Sequence, residues 1–249
     1  MKVSVITICH NSAATLEDTI RSVALQDYPD IEYIIVDGAS EDNSKKIVSR
    51  YKEIVSRFVS EKDEGIYDAL NKGISISGGD VIALLHSDDL YADDNIISRV
   101  VDAFNKTDAD AIYTDLEYVD RVDVHKTVRL WKAGVYHESL FLKGWMPPHP
   151  ALFVKKNVYD RFGLYNKSFS ISADYEFMLR VIHKHGIKVS YLPGVGIRMR
   201  VGGKSNISVK NRLLANREDR LAWKVNGIRP HWYTTLLKPL SKLRQFRKL

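Results

Sequence analysis

The sequence predicts an α/β fold in which a mostly parallel central sheet is flanked by helices, followed by a helical, basic C-terminal extension. Three observations carry this. Short β-branched, apolar runs alternate with helical runs through the first half of the chain. Those runs end in polar or acidic residues rather than in tight hairpin turns. The charge is also divided unevenly: 12 Lys and Arg against 2 acids after residue 203, a net +10, leave −4 over the first 203 residues, within an overall +6.

The elements follow in order. Lys2 to Cys9 (KVSVITIC) reads as a buried strand, and Leu16 to Leu25 as an amphipathic helix with Thr15 as its N-cap. Glu32 to Val36 is a second strand ending at Asp37-Gly38, and Ser40 opens a helix running through Asp42 to Tyr51. Phe58 to Ser60 is a weaker third strand, Gly65 to Ile76 a helix, and Val81 to Leu85 a fourth strand ending at His86-Ser87-Asp88-Asp89. Asn95 to Phe104 is helical and Ala111 to Thr114 is again a strand. Residues 120–145 read as strand and loop. Met146-Pro147-Pro148-His149-Pro150 is excluded from helix by its three prolines. Asp174 to His185 is a helix capped by Ser172, Gly194 to Ser205 a glycine-bearing loop, and Ile207 to Val225 a helix. The domain expectation is a body over 1–205 and an extension over 206–249.

With 249 residues, 45% of them hydrophobic, the chain can bury one large core. Its single cysteine, Cys9, excludes an internal disulfide and any cysteine-built metal site, and fits a reducing cytosol. The start lacks a signal-peptide pattern and no window approaches the roughly 18 apolar residues of a spanning helix. The expected location is cytoplasmic, or peripheral on the inner face of the cytoplasmic membrane. The phosphate loop GxxxxGK[ST], a GxGxxG after the first strand, the GxSxG elbow and HExxH are all absent from the sequence. His125, His137, His183 and His185 lack metal-ligand spacing.

In open parallel sheets ligands bind beyond the carboxyl ends of the strands, where this chain carries Asn11, Asp37, Asp63 and Asp88-Asp89. Adjacent carboxylates at a sheet mouth form a hard-oxygen site suited to Mg²⁺ or Mn²⁺ with substrate phosphates as further ligands; an acidic capping turn is the equal alternative for that pair. Asp37 could accept bonds from a base or ribose, or could be a turn aspartate before glycine. Asp174, at a helix start, is a candidate general base or a simple helix-start charge.

Taken together, VSVITICHN, IEYIIVDGASEDNS, EKDEGIYDALNKGISISGGDVIALLHSDD, GWMPPHPALFVKKNVYDRFGLYN, SISADYEFMLR and RVGGKSN resemble the inverting glycosyltransferases of family 2, across roughly residues 1–205. The resemblance implies a GT-A type, Rossmann-like fold and transfer of a sugar from a nucleotide-diphosphate donor to a lipid-linked saccharide or polysaccharide acceptor, assisted by Mn²⁺ or Mg²⁺. It further implies that Thr7, Asn11 and Asp37 line the nucleotide pocket and that Asp63 and Lys72 lie near base and phosphates. Asp88 matches the last carboxylate of the metal motif with Asp89 in support, and Asp174 the catalytic base. Arg200, Gly202, Gly203 and Lys204 belong to a loop closing over the diphosphate. His86 stands where the family's metal motif begins with aspartate, and Ala173 where many relatives carry an acid.

Outside the resemblance, residues 231–249 place Tyr233, Leu236, Leu237, Leu240, Leu243 and Phe246 at helical spacing among Lys and Arg, with no acid. This is the profile of a helix lying on an anionic membrane, with docking on its own domain or a second subunit as the alternative. A sugar nucleotidyltransferase, a non-catalytic nucleotide- or carbohydrate-binding module and a tail-mediated nucleic-acid binder are the rival readings; no nucleic-acid partner is expected.

Overall fold

A computed structural model describes residues 1–202, 209–230 and 234 of the chain. Strands β1 (Val3–Cys9), β2 (Ile31–Asp37), β3 (Arg57–Ser60) and β4 (Val81–Leu84) form the parallel half of the sheet, in the order β3-β2-β1-β4. Helices α1 (Leu16–Ala24), α2 (Ser44–Arg50) and α3 (Ile66–Ile76) connect them. The other half is largely antiparallel. It contains β5 (Asp89–Tyr91), β6 (Ala111–Val119), β7 (Thr127–Trp131), β8 (Leu152–Lys155) and β9 (Val189–Arg200). β8 lies antiparallel between β4 and β6; β6 runs parallel to β9 and also pairs with β7; β5 closes the edge on β9. The remaining helices are α4 (Ile96–Lys106), α5 (Ser139–Leu142), α6 (Lys156–Phe162), α7 (Ala173–Met178), which continues as a π-helical segment Leu179–Lys184, and α8 (Val209–Val225).

Strand alternation decides which face each helix covers. Val3, Val5 and Cys9 of β1, with Tyr33 and Ile35 of β2, pack with Leu16, Ile20 and Val23 of α1 and Ile97, Val100 and Phe104 of α4. Ile6, Ile8, Ile34 and Val36 point the other way, into a second core holding α3, α6, α7 and Trp223 of α8. Gly73 lets α3 approach this face, since a Cβ there would sit 2.5 Å from Ile6 Cγ2.

Several local expectations are corrected. Thr15 does stand at the N-cap of α1 but makes no side-chain cap bond; its hydroxyl donates to the Ser87 carbonyl at 2.8 Å. Ser40 does not open α2, because its hydroxyl and N–H both turn back to Asp37. Ser172 makes no side-chain cap bond to α7. The proline-rich segment does contain one 3₁₀ turn, His149–Ala151, which accepts Pro150 in its first turn, where a missing N–H costs nothing. Gly194 to Arg200, expected as loop, belongs to β9: Gly196 lies so close to Thr114 that a Cβ would meet its Oγ1 at 2.2 Å. Among the described residues no helix is long and apolar enough to cross a membrane. The amphipathic segment expected over 231–249 lies outside the described residues apart from Thr234, whose buried hydroxyl donates to the Leu142 carbonyl at 2.7 Å. Lys204 also lies outside them.

Candidate active site

The polar loops that follow β1, β2 and β4 are hydrogen-bonded into one rim. The Asn11 N–H donates to Ser40 Oγ at 2.8 Å and its Oδ1 accepts from the Glu41 N–H at 2.9 Å. Asn11 has φ 51°, a left-handed backbone that asparagine tolerates better than most residues. Ser12 bonds Ser44 through its N–H (2.9 Å), and its hydroxyl receives Ser87 Oγ (2.9 Å). The three loops therefore hold one another in place.

Asp37 is the buried knot of this rim. Its carboxylate accepts from the Ser40 hydroxyl, from the Ser40 N–H at 3.0 Å and from Ser60 Oγ at 2.6 Å. Burial opposes its charge, but these donors outweigh that and hold it below the usual carboxylate range. Its acceptor capacity is thus spent inside the chain. Thr7, expected in the nucleotide pocket, is fully buried and pairs with Tyr33 Oη at 3.1 Å, because alternation along β1 turns it to the same side as Val5 and Cys9. Asp63 lies over Gly38, where a Cβ would meet its Oδ2 at 2.3 Å, and its Oδ1 accepts from the Gly65 N–H at 3.0 Å. Lys72 pairs with Glu61 (2.8 Å) and Asp68 (3.2 Å), which raise its pKa.

The two acids of the turn after β4 part company. Asp88 is half-buried and its carbonyl accepts from Arg200 Nη1 at 2.9 Å. Asp89 begins β5 and is fully buried, with no hydrogen-bond partner for either carboxylate oxygen. Burial first, and then the charge of Asp88, push its pKa well above the carboxylate range, against the pull of Arg200. This correction bears on the metal expectation: Asp89 has no opening towards the rim. Among the described residues no three His, Cys, Asp or Glu side chains gather into a metal cage. Asp88 is the acid of this turn that is not fully buried, and a single carboxylate is compatible with a Mg²⁺ whose other ligands are phosphate oxygens and waters. Arg200, expected in a closing loop, ends β9 instead; its guanidinium also bonds Asp18 at 2.6 Å.

His86 joins this rim to the second acidic motif. Burial lowers its pKa, and the charges of Asp88 and Asp174 act to raise it, so both carboxylates lie within electrostatic reach of this ring. Asp174 opens α7, half-buried, and its Oδ1 accepts from Tyr67 Oη at 3.2 Å; the same hydroxyl reaches the Ile171 carbonyl at 2.5 Å. Behind it lies His149, whose ring centroid is 6.1 Å from that of His86 and whose Nε2 pairs with Tyr165 Oη at 2.9 Å. Burial lowers the pKa of His149 to about 4, so its imidazole is neutral at neutral pH. Tyr67, Tyr165 and His149 were not candidates from the sequence. The MPPHP segment was a visible signal, since a histidine between prolines is fixed in place by a backbone that cannot be regular.

Helix α8 and the turn after it pack behind α7. Glu218, Trp223 and Asn226 bond respectively the backbone of 170–172, Tyr175 Oη (3.0 Å) and Glu176 Oε1 (3.0 Å). The helix predicted over 207–225 is described from Val209 and packs on the body beside α7.

Comparison with known proteins accords with this arrangement. Residues 4–165 match the family model described as glycosyl transferase family 2. The chain is 33% identical over 186 residues to an uncharacterised glycosyltransferase of Mycobacterium tuberculosis, covering 72% of this chain and 68% of that one. It is 27% identical over 208 residues to a PGL/p-HBAD biosynthesis glycosyltransferase of Mycobacterium bovis, covering 82% and 79%. Among solved structures, Staphylococcus aureus TarS 1–349 in complex with UDP superposes with a TM-score of 0.70 at 17% identity, over 100% of this chain and 72% of that one. The chain spans 39% of a longer TarS chain. The mannosyltransferase PcManGT of Pyrobaculum calidifontis, in complex with GDP-Man and Mn²⁺, gives 0.68 at 18% identity, over 97% and 73%. These two likenesses show a GT-A type fold. The chain is a glycosyltransferase and belongs to glycosyl transferase family 2.

Proposed function

We propose that this enzyme transfers a sugar with inversion from a nucleotide-diphosphate donor to a hydroxyl of a lipid-linked saccharide or polysaccharide, with Asp174 as general base. The reading rests on Asp174, whose Oδ1 accepts from Tyr67 Oη at 3.2 Å, and on Asp88 in the turn after β4, from motifs far apart in sequence, whose charges both reach His86. The neighbours' UDP, UDP-GlcNAc and GDP-Man support a nucleotide-sugar donor, and the Mycobacterium bovis relative's name supports a glycolipid acceptor.

Asp174 accepts the acceptor's hydroxyl proton as that oxygen forms a bond to the anomeric carbon. The bond from that carbon to the diphosphate oxygen breaks on the opposite face, which inverts the centre. Tyr67 keeps one carboxylate oxygen of Asp174 oriented, leaving the other for the acceptor. Asp88 is the residue to hold Mn²⁺ or Mg²⁺ with the diphosphate, and that ion supplies charge neutralisation on the leaving group. Asp63, Asn11, Lys72, Arg200 and Lys204 are proposed on the donor side. Asp37 acts through the rim it ties together, and residues 231–249 dock on an anionic membrane surface.

Asp174→Asn, assayed with UDP-GlcNAc and GDP-mannose as probe donors in Mn²⁺, should abolish transfer while the thermal shift given by each donor persists. Loss of donor binding along with transfer would overturn the assignment.

A further inference from the structure

Three consecutive backbone N–H groups just ahead of Asp174 converge on one carboxylate. Glu218 Oε1 accepts from the Ser170 N–H at 2.8 Å, and Oε2 from the N–H groups of Ile171 (2.9 Å) and Ser172 (2.8 Å). Backbone N–H groups at a helix start lack intrahelical partners and are costly when buried without one. Here a charged acceptor satisfies three at once, and bonds to a charged acceptor are the stronger kind. Glu218 is itself 6% exposed, so its carboxylate is not exchanged freely for water.

The clasp works with a second one from the opposite side. Tyr67 Oη, from α3, donates its one proton to the Ile171 carbonyl at 2.5 Å, with Asp174 Oδ1 at 3.2 Å as a weaker, shared acceptor. The backbone of Ile171 is therefore held on its N–H by α8 and on its carbonyl by α3. Three residues on, Asp174 has little freedom to shift along or across the cleft. Trp223 of α8 and Asn226 just past its end bond Tyr175 and Glu176, but they hold side chains, not the backbone that leads into the base.

We infer that Glu218 is a positioning residue for transfer, fixing the 170–172 backbone so that Asp174 meets the acceptor hydroxyl; this rests on Asp174 being the base. Misplacing a catalytic group by about 1 Å can cost on the order of a hundredfold in rate. The residue sits in NREDRLAWK, where a charged helix face gives no sign of it.

Glu218→Gln, which keeps the shape but offers one acceptor oxygen instead of two, tests the idea in the full chain. Release of nucleotide diphosphate from UDP-GlcNAc and from GDP-mannose, with water as acceptor, gives kcat and donor KM. The expected result is a fall in kcat of about 10- to 100-fold with donor KM within about twofold. Glu218→Asp, with the carboxylate drawn back, should fall between, and gives the same reading should the glutamine variant not fold. Trp223→Phe is the control, since it removes the bond to Tyr175 while keeping a buried ring on α8 and the three bonds of Glu218; its kcat should stay within about twofold of wild type. Hydrogen exchange at 170–172 should be slow in wild type and fast in Glu218→Gln. Unchanged kcat in both Glu218 variants while Asp174→Asn is inactive overturns this inference alone. An equal loss in Trp223→Phe, or fast exchange at 170–172 in wild type, also overturns it. Full transfer by Asp174→Asn removes the base assignment, and this inference with it.

Discussion

The neutral His149 makes stability depend on pH in a calculable way. In the folded chain burial keeps its imidazole from charging until about pH 4, against the pull of Asp174 and with the help of His86; Tyr165 occupies its Nε2. In the unfolded chain the same side chain protonates at about 6.5. Between those values the unfolded state binds the extra proton, so stability falls as pH drops below about 6.5 and levels off below about 4. At pH 5 nearly all unfolded chains carry the proton and about a tenth of folded ones do, which gives a loss of about 2 kcal/mol relative to pH 8. Urea unfolding of wild type and His149→Gln at both pH values measures it. The variant will be less stable at every pH, since the Tyr165 bond changes, but the difference between its pH 8 and pH 5 values should shrink by about 2 kcal/mol. The charges of His86 and Asp174 remain in both proteins. Parallel losses in the two would refute a buried, neutral His149.

Other outcomes follow from single contacts. Cys9 is 5% exposed, and burial, then the nearby Asp37, push its thiol pKa far up; it should resist iodoacetamide at pH 8 in the folded enzyme and take one label in denaturant. Gly38→Ala would place a Cβ 2.3 Å from Asp63 Oδ2 and displace that carboxylate. Weaker binding of UDP-GlcNAc and GDP-mannose by about tenfold, or about 1.4 kcal/mol, is expected in thermal-shift titrations, and unchanged binding would exclude Asp63 from the donor side. Deleting residues 231–249 should abolish co-sedimentation with phosphatidylglycerol vesicles, and undiminished sedimentation would refute the membrane role.

Much of the parallel half was legible in the sequence, because β1, β2 and β4 are buried on both faces and so read as unbroken apolar runs. Helices α1, α3 and α4 showed through their apolar spacing. The antiparallel half was less legible. β5 has three residues, β8 has four, and β9 carries Pro193, Gly194 and Gly196, residues that ordinarily mark loops. Its pairing with β6 on one side and β5 on the other overrides that local preference. Asp88 and Asp174 were visible by motif, yet motif order did not separate the half-buried Asp88 from the orphaned Asp89, because direction along a three-residue strand is a tertiary matter. His149, Tyr67 and Glu218 reach the site through long-range packing that no local pattern encodes.

The Arg200 guanidinium grips Asp18 with one nitrogen and the Asp88 carbonyl with another. Beyond this arginine the chain passes to residues 201–202, directly ahead of the glycine-lysine stretch. An anion that drew the guanidinium off Asp18 would tug the peptide of Asp88 in the same movement. One buried arginine thus couples α1, the turn after β4 and the end of β9, so that none of the three shifts without the others.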